Sequence, residues 1–303
     1  MMSILQDIKD SFRQPNNTLK QLILINVIVF VVLIVLRMLL TFTVGPEVYG
    51  RLMSFIALPS DPWSVLIKPW TLVTYFFTHE GFLHIIFNML NLYWFGQLVR
   101  EYLGDKRLLS LYVLGGLAGG LLFILFYNLV PFFADRSAYA VMIGASASVL
   151  AVVVAAATLL PNYTFNLILI GPVKIKYIAL FLVVLSISGA VGSNAGGNIA
   201  HLGGAFLGWM FIKQLQRGSD LGRPIHGLFG FVTGIFKRRP ALKVTHRRST
   251  ASAPSNGNVA SSSYAGKPSQ LEIDRILDKI SSSGYESLSK EEKQKLFQAS
   301  QKE

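Results

Sequence analysis

Four residues able to do chemistry stand in stretches of chain that are otherwise apolar. His84 and Asn88 are four positions apart in Leu83-His84-Ile85-Ile86-Phe87-Asn88, a spacing that puts both on one helix face with Cβ atoms about 5–6 Å apart. Ser146 lies in Gly144-Ala145-Ser146-Ala147-Ser148, five small residues in a row. His201 comes three residues before Gly204, which with Gly208 makes a small-residue stripe for close helix packing. A serine hydroxyl is a weak nucleophile until a base takes its proton, and neutral histidine is the usual base near pH 7. A histidine, an asparagine and a backbone N–H are donors of the kind that hold a developing oxyanion. No Asp or Glu lies at the depth needed to orient His201, so a Ser–His dyad fits better than a triad. Metal binding is the competing use of two histidines, but neither carboxylate nor thiolate is at hand to complete a shell. Taken singly, each residue has a bland reading: serine as packing, asparagine as interhelical glue, buried histidine as hydrogen-bonded structure. The combination is harder to explain that way.

The elements that must bring these residues together are membrane helices. Of 303 residues, 52% are hydrophobic and only 15% charged, against about 25% charged in an ordinary soluble domain. Mean hydropathy is +0.48. A soluble enzyme and disorder throughout are both excluded. There is no cysteine, which excludes disulfides, thiol catalysis and thiolate metal sites. A crossing helix needs roughly 20 apolar residues, and six stretches qualify, at about 21–42, 84–103, 108–130, 138–160, 174–192 and 197–216. The first lacks a small-residue cleavage site after a short core and reads as a retained span rather than a signal peptide. The expected fold class is an all-α membrane protein, a six-transmembrane-helix bundle with a cytoplasmic C-terminal tail.

Orientation follows from the loops, because Lys and Arg gather on the cytoplasmic side. Lys9, Arg13 and Lys20 precede the first span, the second loop with its flanks has Arg100, Lys106 and Arg107, and the fourth has Lys174 and Lys176. The tail carries Lys213, Arg217, Lys237, Arg238, Arg239, Lys243, Arg247 and Arg248. Both termini are therefore expected in the cytoplasm, and the second, fourth and sixth spans enter from the outer side. His84, Asn88, Ser146 and His201 then all fall early in their spans, at one depth below the outer surface. The net charge of +12 belongs to loops and tail rather than to a solvated basic face, so no nucleic-acid partner is expected. Size and the simple layout point to a bacterial inner membrane.

Two regions lie outside the spans. The loop at about 43–83 holds Trp63, Trp70, Tyr75, Phe76, Phe77 and Phe82, aromatic residues that favour the interface, and is read as lying in the outer leaflet. Beyond the last span, 217–270 reads as a flexible basic linker, with Phe229, Phe231, Ile235 and Phe236 able to touch the inner leaflet. Residues 271–303 read as a small helical hairpin: Ile273, Ile276, Leu277 and Ile280 are spaced as on a helix, and Ser289 with Glu292 forms a capping box. This tail is a candidate surface for a protein partner. The domain reading is a cytoplasmic segment 1–19, a helical core 20–216, a linker 217–270 and the hairpin 271–303.

From about residue 20 to 216 the chain resembles the rhomboid intramembrane serine proteases. His79-x4-His84-x3-Asn88, preceded by Pro69-Trp70-Thr71, looks like the family's second-helix motif and loop signature. Gly144-Ala145-Ser146 resembles its nucleophile motif, and Ala200-His201-Leu202-Gly203-Gly204-x3-Gly208 its sixth-helix motif. The resemblance implies Ser146 as nucleophile, His201 as base, and His84 and Asn88 as oxyanion donors with the Ser146 N–H. It implies His79 as a motif position at the loop-to-helix junction. It further implies a six-helix fold with an outward-opening cavity, no cofactor, and single-pass membrane proteins as substrates, cut in or near their transmembrane segments within the lipid bilayer. Two positions depart from the pattern: Ala147 replaces a glycine, which predicts looser backbone approach, and Thr71 replaces an arginine. A catalytically inactive rhomboid-like protein that binds transmembrane helices is the alternative. A transporter would need ionisable residues along a path across the membrane, and none are seen.

Overall fold

A computed structural model describes residue 6 and residues 10–12, 17–167, 170–227 and 270–300. It comprises two units, Met1–Arg239 and Pro240–Glu303. Most of the expected linker, including Phe229, Phe231, Ile235, Phe236 and the basic cluster from Lys237 to Arg248, lies outside the described residues.

The first unit is built from α1 (Thr18–Thr43), α2 (Pro46–Ile56), α3 (Pro62–Ile67), α4 (Thr71–Thr74), α5 (Phe82–Leu103), α6 (Asp105–Leu129), α7 (Ser146–Leu159), α8 (Ile175–Gly189) and α9 (Ala195–Gln216). Among the described residues, α1, α5 and α6 are long and apolar enough to cross a membrane by length and composition. Where six such spans were expected, α7 and α8 are apolar but shorter, and α9 carries Asn198 and His201 in its opening turns. Val31, Val32, Val35 and Met38 of α1 are exposed, as a face turned to lipid would be. One polar residue of α1 turns inward: Asn26 is fully buried and donates to the Tyr112 hydroxyl of α6 at 2.9 Å.

The largest departure from the expected spans is at α7. A helix over 138–160 is predicted, yet it begins at Ser146. Val141–Met142 instead forms a strand pair with Leu58–Pro59, and Gly144 adopts φ +125°, which only glycine takes without strain. Non-helical backbone at membrane depth must be paired within the protein. Here Ser60 N–H donates to the Ala140 carbonyl and Gly144 N–H to that of Tyr75, both at 2.9 Å. Fourteen helical residues cover about 21 Å, less than the roughly 30 Å hydrocarbon core, so α7 starts inside the body of the protein. Apolar on all sides, it is buried from Ala147 to Val153.

Small residues set its neighbours. Gly204 and Gly208 of α9 press on the carbonyls of Ala147 and Ala151 so closely that a Cβ on either would collide. Equal four-residue steps in the same direction make α7 and α9 parallel. Gly115 and Gly119 of α6 meet Ala151 and Ala147 in the reverse order, so α6 runs antiparallel. The looser approach predicted for Ala147 is absent, because its methyl is housed where Gly119 has no side chain and its carbonyl still reaches Gly204.

The first loop divides rather than lying wholly at the interface. Trp63 is 69% exposed, but Tyr75 and Phe76 are buried in the core. Tyr75 donates its hydroxyl to the Gly116 carbonyl, and the Phe76 carbonyl accepts from Tyr112. The carbonyls at the end of α2 would otherwise be orphaned; those of Ser54, Phe55 and Ile56 accept from Lys68, Trp70 and Thr74. Thr71 is buried and donates its hydroxyl to the Lys68 carbonyl. Between α7 and α8, Thr164–Leu167 pairs antiparallel with Gly171–Lys174.

The second unit holds α10 (Gln270–Ser283) and α11 (Lys290–Ser300). Ser289 and Glu292 exchange backbone-to-side-chain hydrogen bonds of 2.8 and 3.2 Å at the start of α11. Lys279–Glu292 and Lys295–Glu272 ion pairs connect the two helices.

Candidate active site

A cavity of about 510 Å³ is lined by His84, Asn88, Ser146 and His201. They come from the opening turns of α5, α7 and α9. Three helix N-termini converge there, each with N–H groups unpaired within its own helix and a partial positive charge. The apolar wall includes Leu150, Val153 and Leu182.

Ser146 is the first residue of α7, and the first helical donor of the ladder is Val149 N–H to the Ala145 carbonyl. Ser146 lines the cavity, and its N–H belongs to the first turn of α7, where the helix itself offers no acceptor. Ser146 Oγ and His201 share the cavity but are not hydrogen-bonded to each other. Two residues further on, Ser148 faces away: it is fully buried, and a Cβ on Gly116 would lie 2.7 Å from its hydroxyl. Ser148 Oγ has no hydrogen-bond partner among the described residues.

His79 lies behind the cavity and is fully buried. Its Nε2 accepts from the Ala145 N–H at 3.3 Å and from the Asn88 amide at 3.3 Å. It thus holds the chain directly before Ser146. The second Asn88 amide proton goes to the His84 carbonyl at 3.0 Å, so both Asn88 donors are engaged. The His84 ring stands edge-on to His79 at 5.2 Å and against Gly144, and its nitrogens carry no protein hydrogen bond among the described residues. No group of three His, Asp or Glu side chains placed to hold a metal occurs among the described residues.

Ser186 and Asn198 are the site residues that sequence reasoning missed. Ser186 Oγ lies 3.1 Å from His201 Nδ1 and donates to the Leu182 carbonyl at 2.9 Å. Asn198 donates to the Gly189 carbonyl at 3.1 Å. Nothing in α8 marks Ser186, one of two serines near the end of an apolar helix. Only the register of α8 against α9 brings it to His201.

An apolar helical body enclosing a serine and a histidine in one cavity is the architecture of an intramembrane protein with a built polar site. The Rhomboid domain model matches residues 67–217, and the chain belongs to the rhomboid family. It is a membrane protein. Residues 266–302 match a family of unknown function, DUF6576. The chain is 30% identical over 159 residues to RHOMBOID-like protein 12, mitochondrial, of Arabidopsis thaliana, covering 49% of this chain and 47% of that one. It is 29% identical over 161 residues to the plant's RHOMBOID-like protein 6, mitochondrial (50% and 47%). It is 30% identical over 89 residues to its Inactive RHOMBOID-like protein 8 (29% and 23%). The similarity spans about half the length of the first two relatives. Their mitochondrial names lend no support to the bacterial inner membrane expected from size.

Proposed function

We propose that the chain is an intramembrane serine endopeptidase that cuts membrane proteins in or near their transmembrane segments. The observation that carries this reading is the shared cavity: Ser146 and His201 open into it together, beside His84 and Asn88. His201 takes the Ser146 hydroxyl proton as Oγ attacks the scissile carbonyl, then passes it to the leaving amine. Substrate closing on the cavity brings Oγ and the imidazole into hydrogen-bond reach, as is common when a resting site fills. The oxyanion is held by the Ser146 N–H at the positive end of α7 and by the His84 ring. Asn88 joins them by exchanging its His79 contact for the oxyanion, while His79 keeps hold of Ala145.

The six helices α1 and α5–α9 form the bundle, with both termini cytoplasmic, the reading that the Lys and Arg of the loops support. The tail from 271 to 303 is a separate unit offered to a protein partner. The deciding experiment incubates purified protein with a generic transmembrane substrate and a fluorophosphonate probe. Wild type should cleave and label, and Ser146→Ala should do neither. A folded wild-type protein that neither cleaves nor labels would instead be an inactive rhomboid that binds transmembrane helices.

A further inference from the structure

Helices α8 and α9 are tied by two polar rungs one turn apart, Ser186 to His201 and Gly189 to Asn198. Each step of three residues back along α8 is matched by three forward along α9, so the pair is an antiparallel hairpin whose register is held at both places. In an apolar setting few other partners compete for these groups, and the upper rung fixes where the lower one stands.

At the lower rung one set of hydrogen-bond directions satisfies both contacts of Ser186. Ser186 Oγ has one proton and two near partners, the Leu182 carbonyl at 2.9 Å and His201 Nδ1 at 3.1 Å. A carbonyl can only accept, so both contacts are hydrogen bonds only when the hydroxyl proton goes to Leu182. Both contacts are then satisfied only if His201 Nδ1 carries the ring proton and donates it to the Ser186 oxygen. Neutral imidazole holds one ring proton, which leaves Nε2 bare. Among the described residues Nε2 has no protein hydrogen bond, and the ring lines the cavity that holds Ser146. Ser186 is 3% exposed, so water does not readily replace it.

We propose that Ser186 is the positioning residue of the base: by accepting the Nδ1 proton it sets the His201 tautomer and turns Nε2 toward the nucleophile. This rests on reading Ser146 and His201 as the dyad. A neutral hydroxyl orients the ring but adds no negative charge to steady the imidazolium. Its loss should therefore cost about 10²-fold in kcat, less than the ~10⁴-fold that follows loss of a carboxylate partner.

The test uses the full chain in detergent with ¹⁵N-labelled histidine, the His201 resonances being identified by their absence in His201→Gln. At neutral pH the wild type should show His201 protonated on Nδ1 alone. Ser186→Ala should show a tautomer mixture and a kcat about 10²-fold lower at unchanged KM, and Ser186→Thr, which retains the hydroxyl, should recover both. A folded Ser186→Ala protein with wild-type kcat and an unchanged tautomer would overturn the proposal. So would a kcat loss that Ser186→Thr fails to restore while the tautomer is unaltered. If the wild type cleaves nothing, or Ser146→Ala cleaves equally well, the protease reading fails, and the tautomer measurement still decides the role of Ser186.

Discussion

A Cβ placed on Gly144 would lie 2.8 Å from His84 Cε1 and 3.1 Å from its Nε2. The imidazole is thus seated on bare backbone, at a residue whose φ of +125° also forms the entry to α7. Gly144→Ala meets both obstacles. It is expected to destabilise the protein by about 1–3 kcal/mol from backbone strain alone and to displace His84 from the cavity. Thermal unfolding in detergent together with turnover would check this; wild-type values for both would show that the seat is not needed.

Ser148 supplies the control for Ser146. Its hydroxyl is buried without a partner among the described residues, and an unsatisfied buried polar group costs about 1–3 kcal/mol. Ser148→Ala should keep cleavage and probe labelling and raise the melting temperature. A loss of labelling in Ser148→Ala but not in Ser146→Ala would mean that the other face of α7 meets the base.

The two side chains proposed for the oxyanion differ in how free they are. Among the described residues the His84 ring has no competing protein bond, whereas both Asn88 amide protons are engaged. One oxyanion donor is typically worth about 10²–10³ in rate. His84→Ala should lose that much of kcat and Asn88→Ala less, and a double mutant as active as wild type would remove both from the oxyanion site.

Beyond α9 the chain is pinned by Asp220, which accepts from Arg107 Nε at 3.0 Å and the Gly222 N–H at 2.8 Å. Burial opposes ionisation of this carboxyl, but the Gly222 N–H and the Arg107 guanidinium outweigh it and hold it below the ordinary range. Its contribution is therefore complete above the unfolded value of about 3.9 and is lost as pH falls through the lower folded value. After allowance for screening, the Arg107 pair is worth roughly 0.5–1 kcal/mol. Asp220→Asn should lower the melting temperature at pH 7, and its gap to wild type should close below pH 4. A gap independent of pH would refute the assignment.

Composition and local spacing carry the apolar spans α1, α5 and α6 and the capping box of α11, because those signals lie within a few turns of chain. What spacing does not show is pairing between distant segments. Val141–Met142 reads as helix by apolar character, and only Leu58–Pro59, some eighty residues earlier, makes it a strand. Tyr75 and Phe76 have the same aromatic character as Trp63, yet their hydroxyl and carbonyl find Gly116 and Tyr112 and draw them inward. His84, Asn88, Ser146 and His201 stand out because polar residues are costly in such surroundings. Ser186 does not, since a serine can satisfy itself on its own helix, as it does with Leu182.

Gly203, Gly204 and Gly208 of α9 meet main-chain oxygens, not side chains. When two side chains clash, trimming one can make room for the other, which is how second-site suppressors of packing defects arise. A carbonyl is common to all twenty residues. A methyl introduced at Gly204 or Gly208 therefore has no rescuing substitution at Ala147 or Ala151, and the distance between the helix of the serine and the helix of the histidine lies beyond the reach of such genetic repair.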